Sequence, residues 1–136
     1  MVKILFICKY NAFRSKVAES YFRKLNKNKK IKVSSAGFID GGGADKTQKA
    51  VAKKLLGVEI KGKIKHLSLK LIREQDLVVV VAKDVPKIMF NHSGGYGKTK
   101  FVYWGIKDEQ LKNRKNVEII VRKIMKGVER LIRKLK

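Results

Sequence analysis

One cysteine, Cys8, is present in 136 residues. No disulfide can close within the chain. Zinc ribbons, thioredoxin-type cysteine pairs and any reaction resolved by a second cysteine of the same chain are therefore excluded. Disulfides are also not needed, since a chain of this length can bury roughly two-thirds of the surface that its unfolded form exposes. Histidine is scarce, and His92 lacks ligand spacing, so no metal or cofactor is expected. Long apolar runs are missing too: the longest, residues 77–82, is far too short to cross a bilayer, and no membrane partner is expected. Residues 1–7 carry one charge and a short apolar run, with no small-residue cleavage site after it. They read as a strand and not as a signal peptide, which points to a cytoplasmic protein. No linker, repeat or low-complexity tract divides the chain, so residues 1–136 are expected to form one domain.

Acidic residues are few. Asp plus Glu is 11 against 34 for Lys plus Arg, giving a formal charge of +23 and a pI near 10.3. Such a field attracts polyanions. Most of the excess is lysine spread along the whole chain, which equally suits a general surface habit. The matching glutamate enrichment of a hyperthermophile is missing. Net charge leaves nucleic acid open as a partner without supporting it, and it leaves the oligomeric state undecided. The charged face of the last helical segment, with Lys115, Arg122, Lys126, Arg130 and Arg133, reads first as a solvated face.

Apolar runs alternate with helical patterns. Strands are expected at residues 2–7, 31–35, 77–82 and 101–104, and helices at 16–25, 47–56, 66–72, 85–90 and 115–135. Residues 77–82, nearly all valine, suit a strand buried on both faces. The fold implied is α/β: a small, doubly wound, four-stranded parallel sheet with helices on both faces. Such folds bind ligands beyond the carboxyl ends of their strands. The glycine-rich stretches at 41–43 and 94–97 lack the strand–turn–helix setting of a dinucleotide fingerprint and read as loops near the pocket.

The segment Cys8-Lys9-Tyr10-Asn11-Ala12-Phe13-Arg14-Ser15 lies where that rule puts the site. It leaves the first strand and enters the first helix. Successive backbone N–H groups in such a turn form an anion nest, and the helix start adds donors and a positive dipole end. Arg14, six residues after Cys8, offers a planar fork for two phosphate oxygens. Dipole, N–H groups and Arg14 all favour a thiolate at Cys8. Together they make a nucleophile suited to phosphoryl transfer.

With these residues the chain resembles the low-molecular-weight protein tyrosine phosphatases, whose first strand runs into a Cys-x5-Arg-Ser loop. The resemblance continues through Ala18-Glu19, Ser35-Ala36-Gly37, Asp76-Leu77-Val78 and Trp104-Gly105-Ile106-Lys107-Asp108. It implies that Cys8 attacks phosphorus, that Arg14 and the N–H groups from Lys9 to Ser15 (through Tyr10, Asn11, Ala12 and Phe13) hold the phosphoryl oxygens, and that Ser15 bonds the sulfur. Asp108 would protonate the leaving oxygen and then activate water. Asn11 and Ser35 would belong to the polar network that fixes the loop, with His66 as a further member. The substrate implied is a phosphorylated protein or a small phosphate ester.

Departures from the family pattern are specific. Tyr10 stands where a glycine is usual, Phe13 where a second cysteine is usual, and Lys16 where a proline is usual. The usual Asp-Pro pair is Asp108-Glu109. Three other readings compete with a phosphatase. Arsenate reductases share the fold and loop but need further cysteines, so here only an external thiol could serve. A phosphocarrier would have no need of Arg14. A phosphate-binding module that does not hydrolyse would keep Cys8 and Arg14 while losing turnover through Tyr10 and the change after Asp108.

Overall fold

The computed structural model describes residues 1–39, 43–60, 62–90, 96–107 and 113–136. In chain order the elements are β1 (Val2–Cys8), α1 (Arg14–Leu25), β2 (Ile31–Gly37), α2 (Lys46–Leu56), α3 (Leu69–Arg73), β3 (Leu77–Ala82), a 3-10 helix (Lys87–Phe90), β4 (Lys100–Ile106) and α4 (Arg114–Lys134). The four strands form one parallel sheet in the order β2-β1-β3-β4. The α/β class and four-stranded parallel sheet are those expected. The order reverses at β1, so the crevice for a ligand opens where β1 and β3 end side by side.

Alternation along the strands sorts the core into two layers. Ile4, Phe6, Val79 and Val81 pack with Val17 and Phe22 of α1, Val51 of α2 and Val121 and Ile124 of α4. Their neighbours Leu5, Ile7, Val78 and Val80 face the other way, toward Ile72 of α3 and Phe90 of the 3-10 helix. Both faces of the two central strands are thus sealed, and these eight strand side chains are essentially inaccessible. On the second face Phe90 stacks on Phe101 at 5.1 Å, and Tyr96 meets Phe101 edge-on at 5.4 Å.

Local chemistry sets the ends of the helices. Asp45 and Gln48 form a reciprocal capping box at the start of α2, and Gly57 ends it in the left-handed conformation. Asn113 caps α4 through the N–H of Asn116. Gly127 lets α4 approach β4, since a Cβ there would lie 3.0 Å from the Trp104 ring.

Three expectations need correction. The helical pattern expected at residues 66–72 is a helix only over Leu69–Arg73, started by the Ser68 cap, and His66 instead forms a parallel bridge with Gly37. The short helix expected at 85–90 is a 3-10 turn over Lys87–Phe90. The strand expected at residues 31–35 runs on to Gly37. No helix among the described residues is long and apolar enough to cross a membrane.

Candidate active site

Cys8 ends β1 and is buried at the carboxyl edge of the sheet. From there the chain turns through Asn11 (φ +57°), the one non-glycine residue at positive φ among the described residues, and enters α1 at Arg14. Asparagine tolerates this conformation better than most side chains. Its amide then fastens the loop: Oδ1 accepts from the backbone N–H of Lys65 at 2.9 Å, and Nδ2 donates to Ser15 Oγ at 2.8 Å. The Lys65 N–H requires an acceptor, so the amide can face only one way.

Oriented like this, the network bears on the sulfur. Ser15 Oγ already accepts from Asn11, so its own proton is free to point at Cys8 Sγ, 3.0 Å away. The backbone N–H of Asn11 donates to the same sulfur at 3.2 Å. Two donors are thus aimed at one sulfur. Phe13, at the N-cap of α1, has no side-chain oxygen with which to cap the helix. The first N–H groups of α1 lack acceptors within the helix and make a seat for an anion.

Arg14 is buried, and its guanidinium spans the ends of two strands. Nη2 donates to both carboxylate oxygens of Asp84, at 3.1 and 3.0 Å, and Nη1 donates to the Ile106 carbonyl at 3.1 Å. Asp84 lies just beyond β3 and Ile106 ends β4. Positive φ at Gly105 accompanies the register shift between β3 and β4, and the Ile106 carbonyl also accepts from the N–H of Lys83. Asp84 is the residue the sequence reading missed. Its signal was position: an acid two residues past a buried strand, at the edge where ligands bind.

Gly37 braces the loop from the side. A Cβ there would lie 2.5 Å from the Tyr10 carbonyl carbon and 2.7 Å from the Asn11 nitrogen, so only glycine allows the approach. The segment around Lys65 and His66 closes it: Gly37 N–H donates to the Lys65 carbonyl, and Leu67 N–H donates to the Gly37 carbonyl. His66 therefore reaches the loop through its backbone bridge to Gly37, while its residue surface is exposed. Ser35 donates to Glu19 at 2.6 Å, tying β2 to α1 and not to the loop itself. Tyr10 is half-buried beneath the Lys9 ammonium, 5.1 Å from its ring centre, and Ala12 is also half-buried. The side chain of Phe13 turns into the core.

Lys16, at the usual proline position, is buried in the first turn of α1. Its ammonium donates to the Lys63 carbonyl at 2.8 Å and lies 3.9 Å from Glu19. Burial pushes its pKa below the usual lysine value, and Glu19 opposes that shift. Asp108, Glu109, His92, Gly41, Gly42, Gly94 and Gly95 lie outside the described residues. The segment carrying Asp108 is described as far as Lys107. Among the described residues no cluster of His, Cys, Asp and Glu could hold a metal ion. A hollow of 450 Å³ lined by Phe22, Leu25, Ile132 and Leu135 sits at the amino end of the strands, so size alone does not mark the site.

Residues 3–136 match the family model described as low molecular weight phosphotyrosine protein phosphatase. No curated protein sequence gives a significant match. Among solved structures the chain is similar to Vibrio vulnificus Wzb in complex with benzylphosphonate, at 25% identity and a TM-score of 0.80, covering 98% of each chain. A low molecular weight protein tyrosine phosphatase from T. tengcongensis has a TM-score of 0.79 at 22% identity, covering 98% of this chain and 99% of that one. An arsenate reductase from Archaeoglobus fulgidus has a TM-score of 0.74 at 23% identity, covering 95% and 98%.

Proposed function

We propose, starting from a chain that belongs to the low-molecular-weight phosphotyrosine protein phosphatase family, that this protein hydrolyses phosphomonoesters, with phosphotyrosine as its substrate class, through a phosphocysteine at Cys8. The observation that carries the reading is the convergence on one loop of a sulfur holding two donors and an arginine locked in place by Asp84 and the Ile106 carbonyl. Fixed donors of this kind need no rearrangement as charge develops on a transferring phosphoryl group. A reducing, cytoplasmic setting would keep the lone thiol available.

Two displacements make up the reaction. In the first, the Cys8 sulfur forms a bond to phosphorus while the ester P–O bond breaks. The departing oxygen takes a proton from Asp108. In the second, a water oxygen attacks phosphorus, the Asp108 carboxylate takes the water's proton, and the S–P bond breaks to restore the thiolate. Arg14 and the N–H groups from Lys9 to Ser15 hold the non-bridging oxygens throughout. Asp84 engages Nη2 and so fixes the plane in which the rest of the Arg14 fork meets phosphate.

Hydrolysis of p-nitrophenyl phosphate at mildly acid pH tests the reading, with Arg14→Lys beside the wild type. Turnover by the wild type, lost in a variant whose point charge cannot reproduce the fork, is the expected result. No release of nitrophenol by the wild type would overturn it in favour of a phosphate-binding module. Thiol-dependent reduction of arsenate without phosphatase activity would favour a reductase instead, one supplied with outside thiols because Cys8 is the chain's one cysteine.

A further inference from the structure

We infer that the hollow beside the Cys8–Ser15 loop is a second anion subsite, which selects phosphopeptides carrying an acidic side chain next to the phosphorylated residue. This rests on the reading above only in taking the phosphoryl group to occupy the loop.

The hollow has a volume of 280 Å³ and shares Asn11 and Ala12 with the loop. Lys16 and Lys49 line it, with Ile60 and Ile64 among its apolar walls, and among the described residues no acidic side chain lines it. Lys16 lies in the first turn of α1 and Lys49 in the first turn of α2, and neither helix carries an acid in its first turn. A cation at a helix N-terminus opposes the dipole. Here two helix starts, each bearing a lysine, border one hollow. The nearby carboxylate of Asp45 is engaged in capping α2 through the N–H of Gln48.

Lys16 also has capacity to spare. Glu19 Oε1 accepts from Ser35 at 2.6 Å and its Oε2 pairs with Arg23 at 2.7 Å, which leaves the Lys16 ammonium at 3.9 Å, outside hydrogen-bond range. The Lys63 carbonyl takes one of its three protons. Gly62 keeps the ammonium approachable: a Cβ there would lie 3.2 Å from Nζ, and its φ of +108° suits glycine alone. A carboxylate or second phosphate entering the hollow would meet a desolvated ammonium within it and the exposed Lys49 ammonium at its edge. Apolar walls there strengthen both attractions.

The test is equilibrium binding to the Cys8→Ser chain, which cannot turn over. Two fluorescently labelled phosphotyrosine peptides serve as probes, one flanked by glutamates and one by glutamines at the same positions. The acidic peptide should bind about tenfold tighter, the size of one charge-assisted hydrogen bond. Lys49→Met, at an exposed position where folding is not at stake, should bring the ratio to within about twofold of unity, and Lys16→Met should do the same. Removing two lysines at the opposite end of the sheet, Lys27→Met with Lys29→Met, should leave the ratio intact. An equal fall in the Lys27/Lys29 variant would overturn the inference, assigning the preference to the general +23 field. An unchanged ratio in Lys49→Met, or no preference in the starting protein, would overturn it as well. Failure of both peptides to bind would overturn this inference and the phosphatase reading together. A Lys49-dependent preference in a protein whose wild type releases no nitrophenol would uphold the subsite and overturn hydrolysis alone.

Discussion

The centre of the sheet and its carboxyl edge are built on opposite rules. Ile4–Ile7 and Val78–Val81 are apolar and sealed on both faces. Around the loop one step further along β1, the buried residues include Asn11, Arg14, Ser15, Lys16, Glu19 and Ser35. Burying polar groups is costly unless each finds partners, and here they do: the described buried side-chain nitrogen and oxygen atoms all have hydrogen-bond partners. The centre therefore supplies stability and the edge consumes some of it to hold Cys8 and Arg14 in place. Substitutions at the two places should separate accordingly.

Cys8→Ser should show the largest effect at the edge. Hydrolysis should fall below a few per cent of wild type while thermal unfolding stays nearly unchanged, since serine differs from cysteine by one atom. A parallel loss of folding would mean that Cys8 belongs to the core and not to the chemistry. Asp108→Asn should slow phosphotyrosine hydrolysis by the ~10²–10⁴ expected of a positioned acid. Phosphocysteine formation from p-nitrophenyl phosphate, with its better leaving group, should slow much less. Equal slowing in single-turnover assays of both substrates would remove Asp108 as proton donor and direct attention to Glu109.

At the centre, Phe6→Ala should cost roughly 3–5 kcal/mol of stability in denaturant titration. Phe6 packs against Phe22 and Trp104 at 6.0 and 5.8 Å. The fraction that remains folded should keep near-normal kcat. A large fall in kcat per folded molecule would show that centre and edge are not separable. Gly37→Ala joins the two regions, because its Cβ meets backbone that cannot swing aside. We expect the loop to shift and kcat/KM to drop by about tenfold or more for a misplacement of this kind, with a smaller loss of stability than Phe6→Ala.

The smallest effect concerns the amino edge. Asp76 accepts from the Lys3 N–H at 2.8 Å and pairs with Lys98 at 3.1 Å, and the first of these chiefly holds its pKa below the ordinary 3.8. A depressed carboxylate pKa contributes stability above the unfolded value, and that contribution is lost as pH falls through the folded value. Asp76→Asn should accordingly lower stability slightly near neutrality and flatten the acid limb of a stability-against-pH curve below about pH 4, where the two chains converge.

Much of this division was legible in the residues themselves. The valine run of β3 announces a strand buried on both faces, and Cys8 to Ser15 announces a turn from a strand's carboxyl end into a helix. What the sequence could not reveal were partnerships made across long separations. Asp84 is seventy residues from Arg14, and only the parallel register of β1 and β3 brings their ends together. The segment at Lys65–Leu67 carries no strand pattern, yet Asn11 and Gly37 draw its backbone alongside β2. His66 looked helical because Leu67, Leu71 and Ile72 repeat at helical spacing, but the Ser68 cap starts the helix later. Ser35 is expected in the polar network that fixes the loop, and its hydroxyl donates to the buried carboxylate of Glu19.

The central claim is that Cys8 carries the phosphoryl group. Rapid acid quench of the wild-type chain with p-nitrophenyl phosphate, followed by mass spectrometry of its peptides, tests it most directly. The account predicts a phosphoryl adduct on Cys8 within the first turnover, with a nitrophenol burst approaching one per chain and no adduct in Cys8→Ser. Steady turnover with no burst and no adduct on Cys8, or an adduct on another residue, would contradict it.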